Sequence, residues 1–300
     1  PTVITLPRYT PTAGARGGQH EGRPRDVDDA YAIVAALNAP KIDVLGITTV
    51  FGNAPLALAD PIAREIVALK GGSVRVATGA AAPLAAIRSG TNDAVEFMAE
   101  VLARQPAHIA AIGPLTNLGL LAERYPEHLA DALSVVIVGG RSAGNRFFLH
   151  GKGPVNDFNV EQDIDAARAL LEHGVPVTMA GFELTSQVSL GARDLERLSP
   201  SAIREHFLPR TLPWLDYWRR TVPGESGFHP WDSAAIDWLL HPERYVAEIR
   251  GWRFAESPDS ADTTWLETGP DLPDRSKTFL TGFTEGGARA FLDDIVDGVH

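Results

Sequence analysis

The sequence comprises 300 residues, of which 27 are Lys or Arg and 38 are Asp or Glu, so the formal net charge is −11 at pH 7. This acidic excess argues against broad binding to nucleic acid and against docking on an anionic membrane, because both need clustered basic side chains. The complete lack of Cys excludes disulfides, zinc–thiolate sites, iron–sulfur clusters and a cysteine nucleophile. The apolar content of 44% and the charged content of 22% are typical of globular proteins.

No stretch of the sequence approaches the run of about 18 apolar residues that a membrane-spanning helix requires. The apolar residues 1–6 are too few for a signal peptide, and no basic segment precedes them. We therefore expect a soluble protein, with the cytoplasm as its default location.

Short β-rich runs alternate with helical patterns through the first 180 residues. The predicted strands are residues 2–6, 43–50, 74–78, 108–112, 134–139 and 176–180. The predicted helices between them are residues 28–37, 55–70, 92–104, 118–124 and 164–173. Several strands are continuous apolar runs, as expected where both faces of a strand are covered. This alternation predicts an α/β fold with an open, mostly parallel twisted sheet flanked by helices.

The last 120 residues follow a different pattern. Helices are predicted at 193–208, 211–220, 232–240 and 287–296, and strands at 247–254, 263–267 and 277–282. No Pro/Gly-rich linker and no internal repeat divides the chain, so we predict a single domain over 1–300. Within it, residues 7–25 contain four Gly, three Pro and four Arg without any apolar periodicity, which predicts a mobile loop.

Three Asp residues lie at the start of the first predicted helix: Asp26, Asp28 and Asp29. The helix dipole and helix capping stabilise carboxylates in a first turn, which is sufficient to explain one or two of them. Three such groups repel one another, and a bound Ca²⁺ or Mg²⁺, which prefers oxygen ligands, would relieve that repulsion. Because successive helical residues diverge by roughly 100°, we expect Asp28 and Asp29 to have two different roles.

Amide side chains follow two of the predicted strands, at positions where open parallel sheets bind ligands. Asn53 lies in a Gly-Asn turn after strand 43–50, and Asn117 ends a Gly-Pro loop after strand 108–112. The simpler interpretations are an ordinary turn for Asn53 and a helix cap for Thr116 or Asn117.

Two further groups of residues could carry chemistry. Asp157 and Asn159 flank Phe158, and their oxygens and amide are suited to clamping the hydroxyls of a polyol. Asp232 could cap the helix that begins at the next residue, and His229 is a candidate general acid near neutral pH.

These motifs, taken together and in order, resemble the inosine–uridine-preferring nucleoside hydrolase family. The resemblance rests on residues 28–33, 45–53 (LGITTVFGN), 113–118 (GPLTNL), 139–140, 157–159 (DFN) and 231–232. It implies a parallel-sheet α/β fold around one Ca²⁺ and hydrolysis of the N-glycosidic bond of a small-molecule ribonucleoside. It also implies a homodimer or homotetramer.

The resemblance implies a role for each matching residue. Asp29, Asp232 and the backbone carbonyl of Thr116 would ligate calcium, and Asp29 would also take part in catalysis. The ribose hydroxyls would be held by Asp28, Asn53, Asp157 and Asn159. Aromatic residues near the end of the chain could stack on the base, although such residues more often belong to the core: Trp214, Trp218, Phe228 and Trp231.

The sequence departs from the family pattern at four points, one of which is Gly151, where the family has an Asn six residues before the ribose-binding acid. The family has an Asp-x-Asp motif upstream of its Asp pair, whose second Asp is calcium ligand and base; here Glu21 is the only upstream carboxylate within reach of the alignment. Trp231 replaces a His that is a candidate leaving-group acid, which leaves His229 or His150 as substitutes. Asp157 stands where the family has Glu, with a side chain shorter by one methylene.

Three hypotheses follow from these residues. The first is a calcium-dependent ribonucleoside hydrolase. The second, motivated by the unmatched upstream Asp and by Trp231, is a homologue that binds ribosides with weak or no turnover. The third is an unrelated Mg²⁺ phosphohydrolase that uses the Asp26–Asp29 cluster, although the sequence lacks a phosphate-binding Gly-rich loop.

Overall fold

A computed structural model describes residues 2–6, 26–149, 152–222, 224–257, 260–272 and 277–300. The predicted loop 7–25, with Glu21, lies outside the described residues, as does His150. No helix in the described part of the chain is long and apolar enough to cross a membrane.

Fourteen strands are present in the described chain, and their bounds follow in chain order. They are β1 (Thr2–Leu6), β2 (Val44–Thr49), β3 (Arg75–Ala77), β4 (His108–Ala111), β5 (Ser134–Val138), β6 (Arg141–Ser142), β7 (Phe147–Leu149), β8 (Lys152–Val155), β9 (Val177–Ala180), β10 (Leu190–Gly191), β11 (Gly227–Phe228), β12 (Tyr245–Ser257), β13 (Ser260–Gly269) and β14 (Lys277–Phe283).

Ten of these strands form one sheet in the order β3-β2-β1-β4-β5-β9-β14-β12-β13-β6. All neighbours from β3 through β14 run parallel, whereas β12 is antiparallel to both β14 and β13. The register pairs Leu6 of β1 with Thr49 of β2, so the carboxyl ends of these central strands meet at one edge. The sheet thus takes strands from residue 2 to residue 283, which confirms the predicted mostly parallel α/β fold.

Thirteen α-helices accompany the strands in the described chain. They are α1 (Asp28–Asn38), α2 (Leu56–Leu69), α3 (Leu84–Ile87), α4 (Asp93–Arg104), α5 (Thr116–Arg124), α6 (Pro126–Ala130), α7 (Phe158–Glu161), α8 (Ile164–His173), α9 (Phe182–Thr185), α10 (Ala192–Arg197), α11 (Ala202–Thr221), α12 (Ser233–Leu240) and α13 (Gly287–Gly298).

Helices cover both faces of the sheet, and this explains the continuous apolar runs of the central strands. In β4, Ile109 and Ala111 belong to the core cluster with α4, α5 and α8, whereas Ala110 belongs to the cluster with α1, α2, α11, α12 and α13. Val135 and Val136 of β5 are divided between the two clusters in the same way. Because successive residues of a strand point to opposite faces, a doubly covered strand must be apolar throughout.

The predicted strands and helices of the first 180 residues are present, with bounds that differ by only one or two residues. The prediction near the C-terminal half is wrong in one place. Instead of helices at 193–208 and 211–220, α10 ends at Arg197 and α11 runs continuously through Pro209 and Pro213. Ser201 caps the start of α11, where its hydroxyl oxygen accepts a hydrogen bond from the backbone amide of Arg204 at 3.1 Å.

The physical reason for this correction is burial on one side of α11. Residues spaced by three or four positions, among them Phe207, Trp214 and Trp218, are buried along its length. Their packing outweighs the hydrogen bonds that Pro209 and Pro213 remove from the helix interior. The prolines therefore predicted a helix end within α11, although tertiary contacts stabilise α11 as one continuous helix.

Gly119 allows close packing of α5 against α8 and gives the first testable prediction. A Cβ atom at this position would lie 2.5 Å from the Cα atom of Ala166. We expect Gly119→Ala to lower the free energy of unfolding by about 1–3 kcal/mol, because the helices must separate. Urea denaturation followed by circular dichroism measures this change.

Gly90→Ala is the matched control, since its Cβ would meet no atom closer than 3.6 Å. Its effect on the free energy of unfolding should stay within about 0.5 kcal/mol. An unchanged denaturation midpoint for Gly119→Ala would contradict the packing argument.

Candidate functional site

A cavity of about 230 Å³ lies at the carboxyl-end edge of the sheet. Segments that follow β2, β5 and β9 contribute to its lining, among them Asn53, Gly139 and Phe182. The loops of a parallel sheet meet at this edge, which is where such folds place their ligands. Its lining combines a set of carboxylates and amides with a set of aromatic rings.

The carboxylates of Asp28, Asp29 and Asp232 form an acidic cluster at this cavity. Each contributes one oxygen, and these oxygens all lie within 4.8 Å of one another. The three residues are only 2%, 1% and 5% exposed. The backbone amide of Asp232 also donates a hydrogen bond to Asp28 Oδ2 at 3.3 Å, which ties the start of α12 to the start of α1.

Asp28 and Asp29 are consecutive residues of α1, yet each has an oxygen within 4.8 Å of an Asp232 oxygen. Their two different roles stay a prediction. One other expectation changes here. Asp232 does occupy the cap position of α12, but its side chain makes no capping hydrogen bond.

The donor set of this cluster fits a hard divalent cation. It consists of carboxylate oxygens alone, which are ligands that Ca²⁺ and Mg²⁺ prefer. A second group, Asp237, His241 and Asp294, has similar spacing. There the guanidinium of Arg244 lies 2.6 Å from Asp237 Oδ1 and 2.7 Å from Asp294 Oδ2, so the charge is already balanced.

Asp157 lies in the cavity wall, and backbone amides hold both of its carboxylate oxygens. Oδ2 accepts a hydrogen bond from Gly140 N at 2.6 Å, and Oδ1 accepts one from Val160 N at 3.2 Å, which caps α7. Gly140 presents its amide from a left-handed conformation (φ +84°) that glycine adopts readily. Burial raises the pKa of Asp157, while these amides and Arg141 act in the opposite direction.

The predicted amide residues divide between the cavity and the framework. Asn53 and Asn159 line the cavity. The Asn159 amide also donates to Val138 O at 3.0 Å and to Ile112 O at 3.3 Å, so it joins the ends of two central strands. Asn117 bridges two other loops, donating to Thr49 O and accepting from Ala80 N, both at 2.9 Å.

Thr116 is fully buried as the first residue of α5. Its hydroxyl donates to Asp163 Oδ2 at 2.5 Å. The residue at the cap position is Leu115, so neither Thr116 nor Asn117 caps α5 as the simpler interpretation expected. The predicted metal-ligating role of the Thr116 carbonyl stays a prediction.

Six aromatic side chains line the cavity: Phe158 and five that are called here the aromatic wall, namely Phe147, Phe182, Trp214, Trp218 and Trp231. Phe147 stacks on Phe182 with ring centroids 4.2 Å apart, and Trp218 packs edge-on against Trp231 at 5.6 Å. Trp214, Trp218 and Trp231 were considered in the sequence as base-stacking residues. Phe228, the fourth, is instead a core residue near Tyr31, with ring centroids 6.3 Å apart.

His229 lies against the aromatic wall and is 3% exposed. Its Nδ1 is 2.7 Å from Val188 O, and its Nε2 is 3.9 Å from a Glu225 carboxylate oxygen. Its ring packs edge-on against Trp218 at 5.7 Å and tilts against Trp231 at 5.5 Å. This arrangement is suited to holding the two indoles in place.

Sequence reasoning missed Phe147 and Phe182 as cavity residues. Phe182 begins the four-residue helix α9, and Phe147 begins the short strand β7, so neither belongs to a long periodic element. An aromatic residue soon after the end of a buried strand was the available signal, because such positions lie at the ligand-binding edge.

Known proteins share this architecture and sequence. A family model described as inosine-uridine preferring nucleoside hydrolase matches residues 24–264. The pyrimidine-specific ribonucleoside hydrolase RihA of Salmonella agona is 32% identical over 255 residues, covering 74% of this chain and 79% of that protein.

Two solved structures have the same fold. A purine-preferring ribonucleoside hydrolase from Gardnerella vaginalis superimposes with a TM-score of 0.79 at 19% identity, covering 99% of this chain and 97% of that one. The plant nucleoside hydrolase PpNRh1 gives a TM-score of 0.78 at 18% identity, with 98% of both chains covered.

The fold and the acidic, aromatic-lined cavity define a hydrolase of the nucleoside hydrolase class. The chain belongs to the inosine-uridine preferring nucleoside hydrolase family.

Asn159 provides the second prediction, because it serves both the cavity and the framework. We expect Asn159→Ala to lower the free energy of unfolding by about 1–3 kcal/mol, since the carbonyls of Val138 and Ile112 lose their donor. Thermal denaturation monitored by calorimetry tests this. Asn156→Ala, which changes an exposed amide lining the same cavity, should change the free energy by no more than about 0.5 kcal/mol. Equal destabilisation by both variants would contradict the framework role.

Proposed function

We propose that the chain is a calcium-dependent hydrolase that cleaves the N-glycosidic bond of ribonucleosides to ribose and free base. The observation that carries this proposal is one cavity lined by the aromatic wall and by Asp28 and Asp232, two members of a cluster of three buried carboxylates. A ribonucleoside has the matching chemistry, because vicinal hydroxyls can join a cation site while a flat apolar base lies against aromatic rings.

The metal site of this proposal consists of Asp29, Asp232 and the backbone carbonyl of Thr116. Calcium is preferred because oxygen-only ligands, among them carboxylates and a carbonyl, suit its flexible coordination. When bound, the ion supplies Lewis-acid chemistry that lowers the pKa of a water molecule and orients hydroxyl groups.

Other polar residues hold the sugar. Asp28, Asn53, Asp157 and Asn159 line the cavity and are proposed to bind the ribose hydroxyls. Their hydrogen bonds strengthen as the bond between the anomeric carbon and the base nitrogen breaks and the sugar gains oxocarbenium character. The water oxygen then bonds to the anomeric carbon.

The water's proton must pass to a base. In this proposal Asp29 orients the water, and Glu21 remains the predicted acceptor of that proton in place of the family's upstream Asp.

The base is proposed to lie against Trp231 and the rest of the aromatic wall. His229 was predicted as the acid that protonates the leaving base. Its contacts with Val188, Trp218 and Trp231 favour a positioning role instead. The departing base nitrogen keeps the electron pair of the broken bond and takes its proton from water.

The third prediction tests metal and activity together. With Ca²⁺, the protein should release reducing sugar from at least one nucleoside in a purine and pyrimidine panel. Asp29→Asn should lower calcium affinity by roughly 100-fold or more, since it removes a charged ligand directly. Isothermal titration calorimetry measures that affinity, and calcium should also raise the melting temperature of the unaltered protein.

Asp294→Asn is the matched control, because it changes the other carboxylate group and should leave calcium affinity unchanged. Calcium binding that survives Asp29→Asn would contradict the metal site. Nucleoside binding without sugar release would instead favour the second hypothesis, a riboside-binding homologue, which the unmatched upstream Asp motivates.

The fourth prediction separates the two roles of His229. A p-nitrophenyl riboside has a leaving group that needs no protonation, whereas the base of a nucleoside does. If His229 only positions the indoles, His229→Gln should lower kcat/KM by a similar factor for the p-nitrophenyl riboside and for the best nucleoside of the panel. If kcat/KM falls by about 10²-fold or more for the nucleoside alone, His229 is the acid that protonates the leaving base.

Location and assembly complete the proposal. We propose that the enzyme acts in the cytoplasm, which the lack of Cys suits, and that it forms a homodimer or homotetramer. Family membership argues against the Mg²⁺ phosphohydrolase hypothesis.

A further inference from the structure

Among the described residues Arg141 is the largest fully buried side chain, although arginine is among the residues most often exposed. Its guanidinium carbon lies 4.0 Å from the ring centroid of Phe147 and 4.1 Å from that of Trp265. Phe147 belongs to the aromatic wall and stacks on Phe182. Arg141 therefore supports the aromatic wall directly from behind Phe147.

The same guanidinium also pairs with a buried carboxylate of α7, the helix that begins next to Asp157. Its Nη2 pairs with Glu161 Oε1, and the two side chains are only 1% and 4% exposed. Glu161 is the last residue of α7, the helix that Asp157 caps. Asp157 in turn accepts a hydrogen bond from Gly140, the residue before Arg141. One cation thus faces two buried carboxyl groups, one of which lines the cavity.

This imbalance is reflected in the pKa values. Burial, followed by repulsion from Asp157, raises the pKa of Glu161 to about 7, while Arg141 lowers it. Burial also raises the pKa of Asp157, and the Gly140 amide and Arg141 oppose that rise. Arg141 therefore favours the ionised form of both carboxyls, whereas each carboxyl disfavours ionisation of the other.

Asp26, Asp28 and Asp232 line the same cavity as Asp157, and other charged groups on the neighbouring elements have contacts of their own. On β13, Glu267 lies 2.8 Å from Arg253. On α9, Glu183 accepts a hydrogen bond from Ser142 N at 2.6 Å. Asp163, which caps α8, accepts hydrogen bonds from the Leu84 amide and the Thr116 hydroxyl. Within α8, Asp165 lies 3.6 Å from Arg88. The Arg168 guanidinium stacks on the ring of Phe254.

We propose that Arg141 is a positioning residue for the reaction: its charge keeps Asp157 an ionised acceptor for a ribose hydroxyl, and its plane holds Phe147 in the aromatic wall. The proposal rests on the proposed function, in which Asp157 binds ribose. It goes beyond that function because one side chain outside the cavity lining acts on both the polar residues and the aromatic wall of the site.

The competing explanation is an ion pair that serves stability alone. The two explanations differ when each partner is neutralised separately. Loss of a purely structural pair has the same consequence whichever partner is removed. A charge role has opposite consequences, because removing a cation raises the pKa of Asp157 whereas removing an anion lowers it.

The fifth prediction is the pH dependence of kcat/KM for Arg141→Gln and Glu161→Gln with calcium and the best nucleoside of the panel. Activity requires ionised Asp157, so it is lost as the pH falls through the pKa of that group. We expect the acidic limb of the profile to move up by about one pH unit in Arg141→Gln and down in Glu161→Gln. Arg141→Lys keeps the positive charge but lacks the planar guanidinium. Its acidic limb should lie at the same pH as that of the unaltered enzyme, whereas its nucleoside binding should be weaker.

Arg244→Gln is the matched control, since it removes the guanidinium from the Asp237–Asp294 group and should leave the acidic limb in place. Shifts in the same direction for Arg141→Gln and Glu161→Gln, or no shift in either, would overturn the proposal. If Arg141→Gln does not fold, Arg141→Met with Glu161→Gln removes the buried pair as a whole. The acidic limb of this double variant must then lie at higher pH than that of Glu161→Gln alone. Acidic limbs at the same pH in the two proteins would refute the charge role.

A readout without turnover separates this proposal from the proposed function. Carbon-13 NMR of labelled Asp and Glu carboxyls gives the titration of Asp157 in the ligand-free protein. An inactive enzyme whose Asp157 titration moves in opposite directions in the two variants would refute the proposed function and support the charge assignment to Arg141. An Asp157 titration unchanged in both variants would refute that assignment whether or not the enzyme is active.

Discussion

The convergence of three buried carboxylates is the constraint on which the site depends. Asp28, Asp29 and Asp232 are nearly inaccessible to solvent, and their oxygens lie within 4.8 Å of one another. Asp28 begins α1 and Asp232 precedes α12, so the positive ends of two helix dipoles face the cluster. Dipoles of this kind stabilise a carboxylate by about 0.3–1 kcal/mol at exposed positions and by up to about 2 kcal/mol when partly buried. A group of three converging carboxylates could hold a divalent cation.

The parallel sheet explains why distant residues meet at this point. Strands aligned in register place their following loops at one edge, which brings Asn53, Gly139 and Phe182 to the same cavity although they are far apart in the chain. Hydrogen bonds then fix this edge from within. Asn159 and Asn117 each join two segments through backbone groups, and Asp157 is held by the amide of Gly140. The polar residues of the site are thus rigid because the framework uses some of their hydrogen bonds.

Much of the fold could be predicted because its signals are local. The continuous apolar runs of β4 and β5 predict strands covered on both faces, and the core clusters confirm it. The continuity of α11 could not be predicted in this way. Pro209 is a strong local signal for a helix end, whereas the packing of Phe207, Trp214 and Trp218 depends on residues distant in the sequence. The short elements around the cavity were missed for the same reason, since two to four residues contain no periodicity.

The sequence by itself determined the class of fold, and it predicted oxygen ligands for a cation and Asp28, Asp29 and Asp232 as site residues, because ordered motifs and helix starts are local properties. Only the tertiary structure decided that Asp28 joins Asp29 and Asp232, that His229 lies against the aromatic wall, and that Phe228 belongs to the core. It also placed Arg141 between Phe147, Trp265 and Glu161. These are long-range contacts, and their free energies depend on burial and mutual distance, which exist only once the sheet has brought its loops together.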